Sequence, residues 1–97
     1  MIVRIVKMTF KEEELKTFFD FLEPNKQKIR NFPGCKMVEF LQEKENPSVI
    51  MTHSHWNSEE DLENYRNSDL FNYVWENTKI HFKGKPSAYT LVSLDKL

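Results

Sequence analysis

His55-Trp56-Asn57-Ser58-Glu59-Glu60-Asp61-Leu62, followed by Tyr65-Arg66-Asn67-Ser68-Asp69-Leu70-Phe71 and Trp75, runs a strand end into two successive helix starts while large aromatics recur. Asn57 or Ser58 can cap the first helix, with Glu59, Glu60 and Asp61 in its opening turn, and Asn67 or Ser68 can cap the second, with Asp69 behind it. A cap oxygen accepts from amides that have no partner inside the helix, and first-turn carboxylates meet the positive end of the helix dipole. Two short helices therefore meet at a corner. With Tyr65, Phe71 and Trp75 on them, they point to a small walled pocket rather than a bare structural module.

Upstream, residues 2–9 read as a strand whose two alternating sets are both partly apolar, with Ile2, Val6 and Met8 on one side and Val3 and Ile5 on the other. From 11 to about 31 the period becomes helical, with Leu15, Phe18, Phe19, Leu22 and Ile29 on one stripe. Pro24 lies inside that segment, where it removes an amide and strains the preceding turn; a kink is expected there, the alternative being a new helix that starts near Pro24. Phe32-Pro33-Gly34 turns the chain into a second strand over 35–42, 43–47 forms a hairpin loop, and a third strand covers about 48–55. The later helix carries Leu70, Phe71, Val74, Trp75, Thr78 and Phe82 on one face until Gly84 and Pro86 stop it, and 88–94 is a fourth strand.

The order strand, helix, strand, strand, helix pair, strand is the ferredoxin-like split βαβ arrangement of an α+β protein, an antiparallel sheet with its helices on one face. The other face is left bare. Because the first and fourth strands carry apolar residues on both alternating sets, that face is expected to be a partner surface, and a homodimer through the sheet faces is the simplest cover.

At 97 residues, one domain spanning 1–97 is expected. Fourteen basic residues against fifteen acidic ones leave a formal charge of −1, without the positive footprint that a nucleic-acid backbone requires. No apolar run approaches a membrane span and the N-terminus opens as a strand rather than a signal peptide, so a soluble, cytoplasmic protein is expected, with no membrane partner. A lone Cys35 has no second thiol for a disulfide or a metal pair and is expected to serve packing.

Met1-Ile-Val-Arg-Ile-Val-Lys at the start, Asn31-Phe-Pro-Gly-Cys35, Trp56-x-Ser58-Glu59-Glu60 and Tyr65-x-x-Ser68-x-x-Phe71 occur in an order and spacing that resembles the antibiotic biosynthesis monooxygenase family of dimeric α+β barrel proteins, over the whole length of the chain. The resemblance implies two sheets from two subunits packed into a shared barrel, with a small-molecule pocket between sheet and helices in each. Some members oxygenate phenolic or quinol-type substrates with no metal or flavin, and others bind and degrade haem. The haem branch carries an asparagine, a tryptophan and a histidine iron ligand where this chain has Val6, Tyr65 and Trp75, so haem degradation by that route is not expected. His81, six residues beyond Trp75, points along a different direction of the helix and is taken as a surface or edge residue.

Against that background the candidate chemistry is compact. His53 and His55, two apart on a strand, share one face; on the helix side one could take a proton from a phenol, or both could ligate a metal that lacks a third ligand, whereas on the dimer side they are interfacial polar residues, the plainer alternative. Tyr65 and Trp75 could each donate one oriented hydrogen bond to a flat substrate, with Phe71 beside them, or all three could be core. Arg4 and Lys7 lie on opposite faces of the first strand, and either could meet an anionic group. Trp56 is expected to anchor sheet to helix, and the dipole explains Glu59-Glu60-Asp61. The resulting expectation is a cofactor-independent monooxygenase for a small aromatic molecule, with His53, His55, Tyr65 and Trp75 as catalytic residues, Arg4, Phe71 and Phe82 in the substrate pocket, and no metal. The alternatives are a non-catalytic, small-molecule-binding or stress-associated dimer and, behind it, a haem binder using His53, His55 or His81.

Overall fold

Alternating β-branched and apolar residues form four strands in a computed structural model that describes residues 1–97: β1 Ile2–Thr9, β2 Cys35–Gln42, β3 Val49–Trp56 and β4 Ser87–Val92. They make one antiparallel sheet in the order β2-β3-β1-β4. Between them lie α1 Leu15–Leu22, α2 Lys26–Arg30, α3 Glu59–Arg66 and α4 Asp69–Lys79. The α+β, ferredoxin-like expectation holds, and the sheet of a single chain is open, not closed into a barrel. No helix is long and apolar enough to cross a membrane.

The 11–31 segment differs from a kinked single helix. A 3-10 turn, Glu12–Glu14, precedes α1, and a second, Glu23–Asn25, separates α1 from α2. Pro24 has no amide to continue the α-helical ladder, so the chain tightens into the second turn and restarts at Lys26. The buried stripe is Phe18, Leu22 and Ile29; Phe19, expected on it, is 39% exposed, since it follows Phe18 within α1 and so stands about 100° round the helix from it. At the two later starts the caps are Ser58, whose hydroxyl accepts from the Asp61 amide at 3.1 Å, and Ser68, which accepts from the Phe71 amide at 3.0 Å.

Register sorts the strand residues onto two faces. Arg4, Val6 and Met8 of β1 lie beside Ser54, Thr52 and Ile50 of β3, and Val38 and Phe40 of β2 share that face. All four helices cover it, through Phe18, Leu22, Ile29, Leu62, Tyr65, Phe71, Val74 and Trp75. A bulge between Cys35 and Met37 reverses the alternation at the start of β2. Cys35, odd-numbered like the outward Met37, therefore turns inward opposite Trp56.

Gly34 permits the turn before the bulge. Its φ of 88° lies in the left-handed region, its carbonyl accepts from the Asn57 amide at 2.9 Å, and a side chain there would run into Asp61. The covered face holds two clusters rather than one continuous core. Met8, Phe10, Phe18, Leu22 and Ile50 form one, and Cys35, Trp56 and Leu62 form the other.

Candidate functional site

The gap between those clusters is a cavity of about 360 Å³, near the lower end of the roughly 300–1,000 Å³ typical of small-molecule sites. Its existence follows from small side chains at the middle of the covered face. Thr52 and Ser54 on β3, Ala88 on β4 and Thr78 on α4 stand where Leu or Phe would have joined the two clusters. The walls are otherwise apolar and aromatic.

A chain of rings forms one side. Tyr65 stacks on Trp56 with centroids 4.9 Å apart and meets Phe71 edge-on at 5.3 Å; Phe71 stacks on Trp75 at 5.9 Å with the planes 13° apart. Beyond the cavity the series continues from Trp75 to Phe82 at 5.5 Å and from Phe82 to Phe10 at 5.3 Å. Trp56, 1% exposed, anchors sheet to helix as expected, and its indole N–H donates to the Ser54 hydroxyl at 3.0 Å. The Tyr65 hydroxyl and the Trp75 indole N–H make no protein hydrogen bond, and neither is sealed from water. Burial, with the neighbouring Cys35 second, pushes the Tyr65 phenol well above its ordinary pKa. Tyr65 is thus a hydrogen-bond donor near neutral pH, not a base.

Of the residues singled out from sequence, Arg4, Tyr65, Phe71 and Trp75 come together around the cavity. Phe82 does not. It lies past the end of α4, bridged by its backbone to Phe10, and packs behind Trp75 as part of the first cluster. His53 and His55 also lie away from the cavity, on the open face of the sheet, because β3 sends Thr52, Ser54 and Trp56 toward the helices and its alternate residues the other way. Their Nε2 atoms are 3.0 Å apart, so one ring donates and the other accepts. The His53 Nδ1 lies 3.6 Å from Glu39. Burial, then the charge of His53, hold His55 below the usual imidazole pKa. No group of three His, Cys, Asp or Glu side chains is placed to hold a metal ion.

His81, taken from sequence as a surface or edge residue, is partly buried. Its side chain is 12% exposed and its Nδ1 lies 2.7 Å from Glu14 Oε1, tying the chain after α4 to the 3-10 turn before α1. That hydrogen bond is the first cause of the lowered Glu14 pKa. Cys35 is buried, and burial raises its thiol above the ordinary value, in keeping with a packing role.

Arg66 was not singled out from sequence, yet it lines the cavity with Arg4. The signal available was its position one helical turn beyond the buried Leu62, next to Tyr65. Arg4 donates to the Thr90 hydroxyl at 2.7 Å, and Arg66 to Glu63 at 2.7 Å.

The sequence profile of the antibiotic biosynthesis monooxygenase family matches residues 1–74, from β1 into α4. The chain belongs to that family. Solved structures similar to this member include an antibiotic biosynthesis monooxygenase, with a TM-score of 0.91 at 14% identity, covering 98% of this chain and all of the other. A conserved protein of Methanosarcina mazei Go1 is similar with a TM-score of 0.87 at 21% identity, over 94% of this chain and 91% of that one. A Mycobacterium tuberculosis protein reaches 0.88 at 13% identity, over 98% and 96%. At these identities the likeness is one of fold. No curated protein matches the sequence.

Proposed function

We propose that this member of the family is a dimeric monooxygenase that holds one small phenol or quinol in the cavity beneath its helices and transfers one oxygen atom of dioxygen to the ring. The observation that carries the proposal is the apolar cavity walled by stacked aromatics, into which two donors without protein partners, Tyr65 and Trp75, bring the polarity needed to orient a flat ligand. For a phenol with a free para carbon, the ring loses two hydrogens and gains one oxygen as a quinone. The second oxygen atom leaves as water, and the substrate supplies all the electrons. Tyr65 and Trp75 orient the reacting oxygens, Phe71 holds the ring plane, and the apolar walls limit water around the intermediates.

No His, Asp, Glu or Lys lines the cavity, so a substrate acidic enough to lose its proton to solvent at the mouth is the one that reacts. His53 and His55 stand on the opposite face and enter this scheme as interface residues, not as the base. The dimer rests on that face, where Val3, Ile5, Met37, Leu41, Met51, Tyr89 and Leu91 form an apolar surface with no cover from their own chain.

Oxygen uptake by metal-stripped protein, followed with a panel of phenols and quinols, tests the proposal. Substrate-dependent uptake is expected without added metal or flavin, with a rate that rises with pH in step with the ionisation of each phenol. The missing base equally favours a second reading, a dimer that binds aromatic compounds without turnover. Binding with no uptake across the panel establishes the second reading and removes the first.

A further inference from the structure

Of the two cations at the cavity, Arg66 is an exposed helix-end residue, whereas Arg4 is not arranged as an ordinary surface charge. Arg4 and Arg66 are its only charged lining residues. Arg4 rises from the central strand β1, flanked in register by Ser54 on β3 and Thr90 on β4, and is only partly exposed. Its one side-chain partner is the neutral Thr90 hydroxyl, and no carboxylate stands within ion-pair distance of it. Arg66 has a single exposed partner, Glu63. The Arg4 pKa is lowered first by burial and then by the charge of Arg66, while Glu63 only partly opposes them. A partly buried guanidinium facing a like charge is unfavourable unless an anion joins it.

We infer that Arg4 and Arg66 form an oxyanion subsite at the cavity mouth, which receives the carboxylate of an aromatic acid whose ring lies along Phe71 and Trp75. The inference rests on the proposed use of the cavity for aromatic ligands and names their class more closely. A guanidinium fork matches the two oxygens of a carboxylate, and the N–H groups of Arg4 not directed at Thr90 are free to make that match. Thr90 contributes by fixing the fork. Glu59, Glu60 and Glu63 line the outer side of the mouth with Arg66 and Thr90, and a planar monoanionic carboxylate enters beside the apolar wall at a lower desolvation cost than a doubly charged phosphate ester. The combination of apolar wall and paired arginines specifies a planar amphipathic acid.

Matched probes test this without knowledge of the natural ligand. Binding of 2-naphthoate, methyl 2-naphthoate and 2-naphthyl phosphate to the full chain is read from tryptophan fluorescence, since Trp75 and Trp56 line the cavity. The acid is expected to bind about tenfold more tightly than either the ester or the phosphate at low salt. Arg4→Met and Arg66→Met should each remove most of that preference and leave the ester's affinity within about twofold, while Lys44→Met in the hairpin loop changes neither. Circular dichroism checks each variant, and Arg66→Met, at an exposed helix end, carries the test if Arg4→Met does not fold. Equal binding of acid and ester overturns the carboxylate subsite and leaves the aromatic cavity standing. Binding of neither overturns both. A preference for the acid that survives both substitutions places the anion elsewhere and also overturns the inference.

Discussion

The two faces of the sheet are made from alternate residues of the same four strands, yet only one is finished by its own chain. On the covered face, Val6, Met8, Val38, Phe40, Thr52, Ser54 and Trp56 meet four helices, and the small residues among them leave a cavity. On the open face, Val3, Ile5, Met37, Met51 and Leu91 are as apolar, but nothing in the chain lies over them, and Lys7, Glu39, His53 and His55 are interspersed. Similar hydrophobicity is thus used in one place within the chain, around a ligand-sized hole, and in the other is left open, where the proposed dimer would cover it. Titratable residues divide the same way. The histidine pair sits on the open face, while the cavity on the covered face is lined by two arginines and a tyrosine held in its neutral form, with the buried Cys35 thiol behind them.

The largest effect should come from the covered face. Trp56→Ala removes a side chain that stacks on Tyr65 and bonds to Ser54, and should cost about 4 kcal/mol in urea unfolding, with loss of probe binding at the cavity. On the open face, Ile5→Glu should leave the monomer folded but weaken association by about 3 kcal/mol, seen in sedimentation velocity as a shift from dimer to monomer. If Ile5→Glu unfolds the chain, or leaves an existing dimer intact, the division of labour between the faces is wrong.

Gly34→Ala tests the corner that joins them. The positive φ and the encounter with Asp61 should together cost about 2 kcal/mol, and Gly84→Ala, where φ is also positive but the space is open, should cost less. The smallest effect is electrostatic. Because the folded protein holds His55 below its ordinary value of 6.5, its contribution is fully present above that pH; it is lost as pH falls below 6.5, when the unfolded state takes up the proton first. Thermal stability should therefore decline on acidification through that range, and His55→Gln should flatten the decline. An unchanged pH profile in the variant would assign the acid sensitivity to other groups.

Much of the architecture was legible from short-range signals. A period of two marks the strands, serine followed by acidic residues marks the starts of α3 and α4, and Phe32-Pro33-Gly34 marks the turn into β2, because each depends on groups within a few residues of one another. The pocket aromatics Tyr65, Phe71 and Trp75 were legible for the same reason, since they repeat at helical spacing on α3 and α4. Phe82 was misplaced by extending that spacing past the true end of α4 at Lys79.

Alternation alone is symmetric: it says that His53 and His55 share a side and cannot say which side the helices choose. Only packing breaks that symmetry, by setting Thr52, Ser54 and Trp56 under the helices and by turning Cys35 inward at the bulge. The meeting of Arg4 with Arg66 and of Glu14 with His81 likewise joins positions far apart in the chain. The sequence by itself determined the elements, their order and their aromatic faces, because those follow from local periodicity and hydrogen bonding. The tertiary structure decided which face holds the cavity and which charges look into it, because those depend on long-range contacts that no local pattern encodes.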